Sequence, residues 1–259
     1  EIASCLVGSE MCIRDSAKHR SIRKFRSEPI APEVLQDMLE AASRASTCGN
    51  MQLYSLIVTQ SRELREALAP CHFNQPMVTQ APCVITVCAD VHRFSMWCEQ
   101  RDAEPCYDNF AWFLNGVTDA LLAAQNLCVE AEAHGLGICY LGTTIYTAEE
   151  IARILDLPKG VIPVTTIVVG HPDESPELTD RLPLDAVVHC EKYHHYTSSE
   201  IDELWAEKET SEETRRLLEE NGLPNLAQIF TRNRYRAEDN LAISRNYFAL
   251  LKKQGFFNN

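Results

Sequence analysis

Three absences narrow this chain before any motif is read. Nowhere in its 259 residues do about 18 consecutive apolar residues occur, the length a bilayer-spanning helix needs, so no membrane partner is expected. Basic residues are scarce: 24 Lys and Arg stand against 37 Asp and Glu, a formal net charge of -13. Nucleic acid is held by a basic face, so no nucleic-acid partner is expected and any phosphate site must be local. The signatures of several enzyme classes are missing too. There is no Gly-x-Ser-x-Gly, no Gly-x-Gly-x-x-Gly and no Walker phosphate loop. His134, His171 and His189 have no recognisable nucleophile partner and read as packing, cap or surface residues.

Cysteine is abundant, yet its pattern excludes a disulfide scaffold. The eleven cysteines are spread singly from Cys5 to Cys190 in a chain large enough to fold without staples. They read mostly as reduced, small apolar residues of a cytoplasmic protein. Cys88, His92, Cys98 and Cys106 share one region but lack the Cys-x-x-Cys spacing of a structural zinc site, so no metal is expected. A composition of 45% hydrophobic and 24% charged residues is that of an ordinary globular protein, long enough for one large domain or two small ones. Residues 1–17 stand apart. The stretch CLVGSEMCIRDS at 5–16 resembles a translated sequencing-library adapter joined to an incomplete gene, and the leader is read as non-native or unstructured.

Periodicity places the elements. Pro32 sits near a helix start, with Val34, Leu35, Met38, Leu39 and Ala42 at helical spacing behind it. Residues 53–59 and 83–88 are short apolar or β-branched runs that read as strands. A long helix is expected over 115–134, with Val117, Leu121, Ala124 and Cys128 repeating and Ala120, Leu127 and Ala131 widening the stripe, ended by a left-handed Gly135. Residues 138–142 read as a buried strand, Thr147-x-x-Glu150 as a capping box for a helix that stops before Pro158, and Val161–Gly170 as a long strand. From Thr197 the chain turns to charge-rich helices, opened by a Thr197-x-x-Glu200 box and broken at Gly222-Leu223-Pro224. A last helix over 237–254 carries Leu241, Ser244, Tyr247, Phe248 and Leu251 at helical spacing. The order is that of an α+β protein in which helices cover a sheet. Trp97, Tyr107, Phe110, Trp112 and Phe113 suit a core, an interface or a substrate pocket equally.

Chemistry concentrates at His19-Arg20-Ser21-Ile22-Arg23-Lys24-Phe25. Arg offers a planar, permanently charged fork of donors, His adds one or two more, and a Ser hydroxyl can complete the shell around a phosphate dianion. Taken alone, the seven residues fit a solvated basic segment equally well.

Four segments in order decide between these readings: HRSIRKF at 19–25, TCGNMQLYS at 47–55, GLGICYLG at 135–142, and VGHP at 169–172 followed by Arg181-Leu182-Pro183. Together they resemble the nitroreductase family, in particular its NADPH-dependent branch of oxygen-insensitive nitroreductases and flavin reductases, from about Lys18 to Tyr193. The resemblance implies a three-layer sandwich with a central mixed, mainly antiparallel sheet covered by helices. It implies an intertwined homodimer with FMN sites at the interface, an FMN-binding core over 18–196, and a helical extension over 197–259 packed on it.

The resemblance also assigns roles. His19, Arg20 and Ser21 hold the FMN phosphate and ribityl end, and Arg181 closes on the phosphate; Thr179 stands where members often carry Lys. Arg23 lies at the N1/O2 edge, where a fixed cation would favour reduced flavin; a surface or cap arginine is the plain alternative. Thr47, Asn50, Gln52 and Gln75 supply polar contacts to the ring, although by sequence alone they are ordinary loop residues. Tyr140, Leu141 and Gly142 pass beside the ring. Arg232, Arg234 and Arg236, the dense basic cluster of an acidic C-terminal third, are candidates for the NADPH 2'-phosphate. The expected activity is NAD(P)H oxidation, with NADPH or NADH as donor. Electrons pass by ping-pong hydride transfer through flavin N5 to a small-molecule acceptor such as a nitroaromatic or a quinone. A flavin reductase, or a non-catalytic FMN-binding sensor or store, is the alternative.

Overall fold

The computed structural model describes residues 18–258, so the leader reading, with Cys5 and Cys12, lies outside the described residues. Its centre is a four-stranded sheet of β1 (Tyr54–Thr59), β2 (Cys83–Asp90), β3 (Gly137–Leu141) and β4 (Val161–Gly170) in the order β1-β2-β4-β3. All neighbouring strands run antiparallel, and a single parallel bridge joins Ser21 to Ile138 beside β3, giving the expected mixed, mainly antiparallel sheet. The eight residues of β2 are all buried, because this central strand is covered on both faces.

Alternation along the strands sorts two apolar layers. On one face Ile85, Val87, Ile138, Ile167 and Val169 meet Met38 and Ala42 of the helix Pro32–Ser43 and Ala120, Ala124 and Leu127 of the helix Phe110–Ala133. On the other, Val84, Cys139, Leu141 and Val168 meet Ile22, Phe25, Met77 and Val78. This is the three-layer arrangement expected. The nine described cysteines are all free.

Several local expectations need correction. The long helix begins at Phe110, where the Asn109 side chain accepts the Trp112 N–H, so part of the aromatic segment forms its first turns. Its buried stripe runs through Gly116, Ala120, Ala123, Leu127 and Ala131, and Leu121 is 44% exposed. The small residues let the helix sit close to the sheet: a Cβ on Gly116 would lie 3.1 Å from Leu53 O and from Ala89 Cβ. Within the aromatic group Phe113 is buried, Tyr107 packs edge-on against Trp112 at 4.6 Å, and Trp97 and Phe110 are exposed. Thr147 makes no capping box, because its hydroxyl donates to Cys71 O at 2.7 Å; the Thr197–Glu200 box does form. In the last helix, Ala237–Lys253, Leu250 and Leu251 are buried while Leu241 and Phe248 are exposed.

Contacts divide the chain into two compact units. The sheet-bearing unit runs through Glu177 and resumes at Arg245, and Leu178–Ser244 forms the other. The second unit contains the helices Ser198–Thr210, Glu212–Asn221 and Leu226–Ile229, with Gly222 at φ +63° ending the middle one.

Gly137 ties fold to site. A Cβ there would lie 2.6 Å from Ile22 Cγ1 and 2.7 Å from Ile22 Cβ, and that stem has no flexible end to swing away. Gly137→Ala is expected to cost about 1–3 kcal/mol in urea unfolding, by driving Ile22 out of its apolar layer. An unchanged midpoint would mean that Ile22 is not seated against β3.

Candidate functional site

The β3 edge gathers the first group of candidates. Ile22 N–H donates to Ile138 O at 2.9 Å, Arg26 N–H to His171 O at 2.9 Å, and Asp173 N–H to Lys24 O at 2.9 Å. The 19–25 segment is thereby held between β3 and the residues after β4. Glu174 accepts the backbone N–H groups of both Arg23 and Lys24, leaving the Arg23 side chain exposed. A cleft of about 230 Å³ opens here, lined by Lys18, Arg20, Glu132, Gly135, Gly137 and Glu174 among others. Glu132 is taken up by His19 Nδ1, and Glu174 by the two N–H groups. Arg20 Nε is buried with no hydrogen-bond partner. The cleft therefore holds a donor in need of an acceptor.

The far end of β3 gathers the second group. Tyr140 packs toward the long helix, and burial, helped by the neighbouring Cys128, pushes its phenol well above the usual range. Leu141 packs on the opposite face. Gly142 opens the 3-10 turn Gly142–Tyr146, and a Cβ there would meet nothing within 4 Å, so the space beside it is open. The turn is pinned to a second one, Ala69–His72: His72 Nδ1 lies 2.8 Å from Thr143 Oγ1, and Thr147 bonds Cys71 O as described. His72 is fully buried, which lowers its pKa to about 4 and keeps the ring neutral. Gln75 follows on this turn, its N–H donating to His72 O at 3.1 Å. Gln75 and Gly142 thus share one frame.

Thr47, Asn50 and Gln52 form a third group just before β1. Gly49, Asn50 and Gln52 all adopt left-handed φ, at +55°, +55° and +48°. The Gln52 amide donates to Asn50 Oδ1 at 2.8 Å. Two residues that no motif singled out hold this shape. Asp119, buried on the long helix, accepts Cys48 N–H through Oδ1 at 2.8 Å and Leu53 N–H through Oδ2 at 3.0 Å, stapling both ends of the loop. Arg93 donates to the carbonyls of Gln52 and Tyr54. The sequence did carry a signal for Asp119: a carboxylate beside Ala120 in an otherwise apolar helical stripe demands a buried partner.

β1 and β3 are opposite edges of the sheet, three strand spacings or about 14 Å apart. One chain therefore brings the first two groups together and leaves the third at the other edge.

The remaining candidates lie in the unit Leu178–Ser244. Arg181 Nη1 donates to Thr179 Oγ1 at 3.0 Å and to Asp180 O at 2.9 Å, while the Asp180 carboxylate turns to Lys208 at 2.9 Å. Arg236 is committed to Asp239 at 2.8 Å and Glu238 at 3.2 Å, and Arg234 lies over the Phe230 ring at 5.4 Å. Arg232 precedes them in the same short helical turn, Phe230–Arg234. Among the described residues no group of His, Cys, Asp and Glu is placed to hold a metal ion, and no helix is long and apolar enough to cross a membrane.

Comparison with known proteins follows the same outline. The model of the nitroreductase family matches residues 17–171. An NADPH-dependent oxidoreductase of Staphylococcus aureus is 36% identical over 181 residues, which is 68% of this chain and 72% of that protein. A solved structure from Bacteroides fragilis, 48% identical, superposes with a TM-score of 0.93 over 95% of this chain and all of the other. NfrA2 of B. megaterium, 31% identical, gives 0.82 over 96% and 99%. The NADPH:FMN oxidoreductase of Vibrio harveyi, solved with NAD+, is 26% identical and gives 0.80 over 96% and 100%.

Proposed function

The chain belongs to the nitroreductase family and is an NAD(P)H-dependent oxidoreductase, and we propose that it works through FMN to reduce flat electrophiles such as nitroaromatics and quinones. The observation that carries the FMN reading is the buried, unpartnered Nε of Arg20 in a cleft whose two carboxylates are already engaged. A phosphate supplies the acceptor that this donor lacks. The printed name of the Vibrio harveyi relative, an NADPH:FMN oxidoreductase, supports the same cofactor.

On this reading His19, Arg20 and Ser21 hold the phosphate and ribityl end, and Arg181 adds a second cation to the phosphate. The Arg23 guanidinium, its backbone fixed by Glu174, presents positive charge to the N1/O2 edge. Gln75, Tyr140, Leu141 and Gly142 border the ring on the frame that the His72–Thr143 contact holds. When bound, FMN supplies the two-electron relay between nicotinamide and acceptor. The protein binds the partners in turn, orients them and excludes water. Arg232 and Arg234 are the candidates best placed to meet a nucleotide 2'-phosphate, since Arg236 is already paired with Asp239 and Glu238.

A homodimer belongs to the same proposal. The loop carrying Thr47, Asn50 and Gln52 sits at the sheet edge opposite the Arg20 cleft, so it completes the polar rim of a ring at β3 when it comes from a second copy. The test is the absorption spectrum of the purified protein before and after anaerobic NADPH, with its mass by sedimentation. A flavin band bleached by NADPH at twice the chain mass is expected. A colourless protein that FMN cannot reconstitute would overturn the proposal.

A further inference from the structure

We propose that Phe73 and Tyr146 form an aromatic wall that selects flat aromatic electron acceptors, an inference that rests on the flavin reading given above. Phe73 is 61% exposed and belongs to none of the apolar clusters among the described residues. Its backbone is left-handed, φ +55°, and so is that of Asn74, φ +53°. Such a conformation is unfavourable for any residue with a Cβ and most of all for a bulky one. Two in succession cost stability that no burial of the ring offsets, the mark of a segment shaped for function.

The geometry is held firmly. Phe73 N–H donates to Pro70 O at 3.1 Å and Asn74 N–H to Ala69 O at 2.9 Å. The ring's aromatic neighbour is Tyr146, with centroids 6.1 Å apart and planes inclined at 46°. Tyr146 closes the Gly142 turn, and the His72–Thr143 and Thr147–Cys71 bonds lock that turn to the one bearing Phe73. Both rings therefore flank Gln75 and the open space beside Gly142. Two inclined rings leave faces and edges to which a third ring can add by offset or edge-to-face stacking. A flat arene fits that wall; a compact, highly hydrated anion gains nothing from it.

The test compares Phe73→Gly with the parent. Glycine adopts the left-handed backbone without penalty, so the variant removes the ring and the strain together. Three results are expected. The ratio of kcat/KM for a nitroarene to that for ferricyanide, which cannot stack, falls about tenfold. The Kd of benzamide, a redox-inert flat arene, read by perturbation of the flavin absorbance, rises about tenfold. The melting temperature of the FMN-free protein does not fall.

An unchanged acceptor ratio with an unchanged benzamide Kd would overturn the inference while leaving the flavin reading intact. A clear drop in the melting temperature would assign the ring to packing, and loss of the dimer would assign it to the contact between copies; either overturns it. A parent protein that takes up no FMN would instead remove the flavin reading beneath it.

Discussion

Replacing Asp119 by Ala is expected to lower folding stability by about 2–4 kcal/mol and to weaken FMN binding at least tenfold. Asp119 carries no metal and meets no substrate in the proposed scheme. It is a buried carboxylate whose two oxygens accept the N–H groups of Cys48 and Leu53, one at each end of the loop bearing Thr47, Asn50 and Gln52. The loop contains three left-handed residues, two of them not glycine, and does not hold that shape by local preference. Removing the carboxylate leaves both donors without an acceptor, and an unpaired buried donor costs about 1–3 kcal/mol. Asp119→Asn keeps one carbonyl oxygen but replaces the other with a donor, so it is expected to fall between Ala and the parent. Urea unfolding gives the stability, and FMN titration of the apoprotein gives the affinity. A variant within about 0.5 kcal/mol of the parent would show that the loop stands without the staple.

The second large effect is one of pH. His72 is fully buried, and burial lowers its pKa from 6.5 to about 4. In the unfolded chain the imidazole takes up a proton below about pH 6.5, while in the folded protein it stays neutral until about pH 4. Between those values the unfolded state binds more protons, so stability is fully present above pH 6.5 and is lost as pH falls toward 4. The loss attributable to this one group reaches about 3 kcal/mol at the acid end. Carboxylates titrate over part of the same range, so the informative quantity is the difference between parent and His72→Gln. Glutamine can still meet Thr143 Oγ1, but it does not titrate. The variant's stability is expected to vary much less between pH 6.5 and 4. Parallel curves for the two proteins would mean that His72 is solvated or charged in the folded state.

Both predictions concern residues that no motif exposes. His72 reads in the sequence as one histidine in the string CHFNQP, and Asp119 as one acid on a helix. Each acquires its role from a partner far along the chain: Thr143 for His72, and Cys48 and Leu53 for Asp119. The same reason explains the local corrections. Helical spacing grouped Leu121 with Ala124 and Phe248 with Leu251, but spacing gives only the period of a stripe. Which side of the stripe meets the sheet depends on what packs against it, and the small residues Gly116, Ala120 and Ala123 set the long helix close to the sheet while turning Leu121 outward. Thr147 and Glu150 have the spacing of a capping box, yet the Thr147 hydroxyl finds a better placed acceptor in Cys71 O.

What the sequence determined by itself was local and cumulative. Period-two and period-3.6 patterns located the four strands and the principal helices, and four short segments in order identified the nitroreductase family, because their spacing carries more information than any one of them. Only the tertiary structure decided which candidates meet. It joined Arg20, Gln75 and Gly142 at the β3 side, put Thr47, Asn50 and Gln52 at the opposite edge, and left Arg20 Nε without a partner. Strand order and hydrogen-bond partnership are settled by packing between residues far apart in the chain, and local periodicity has no term for that.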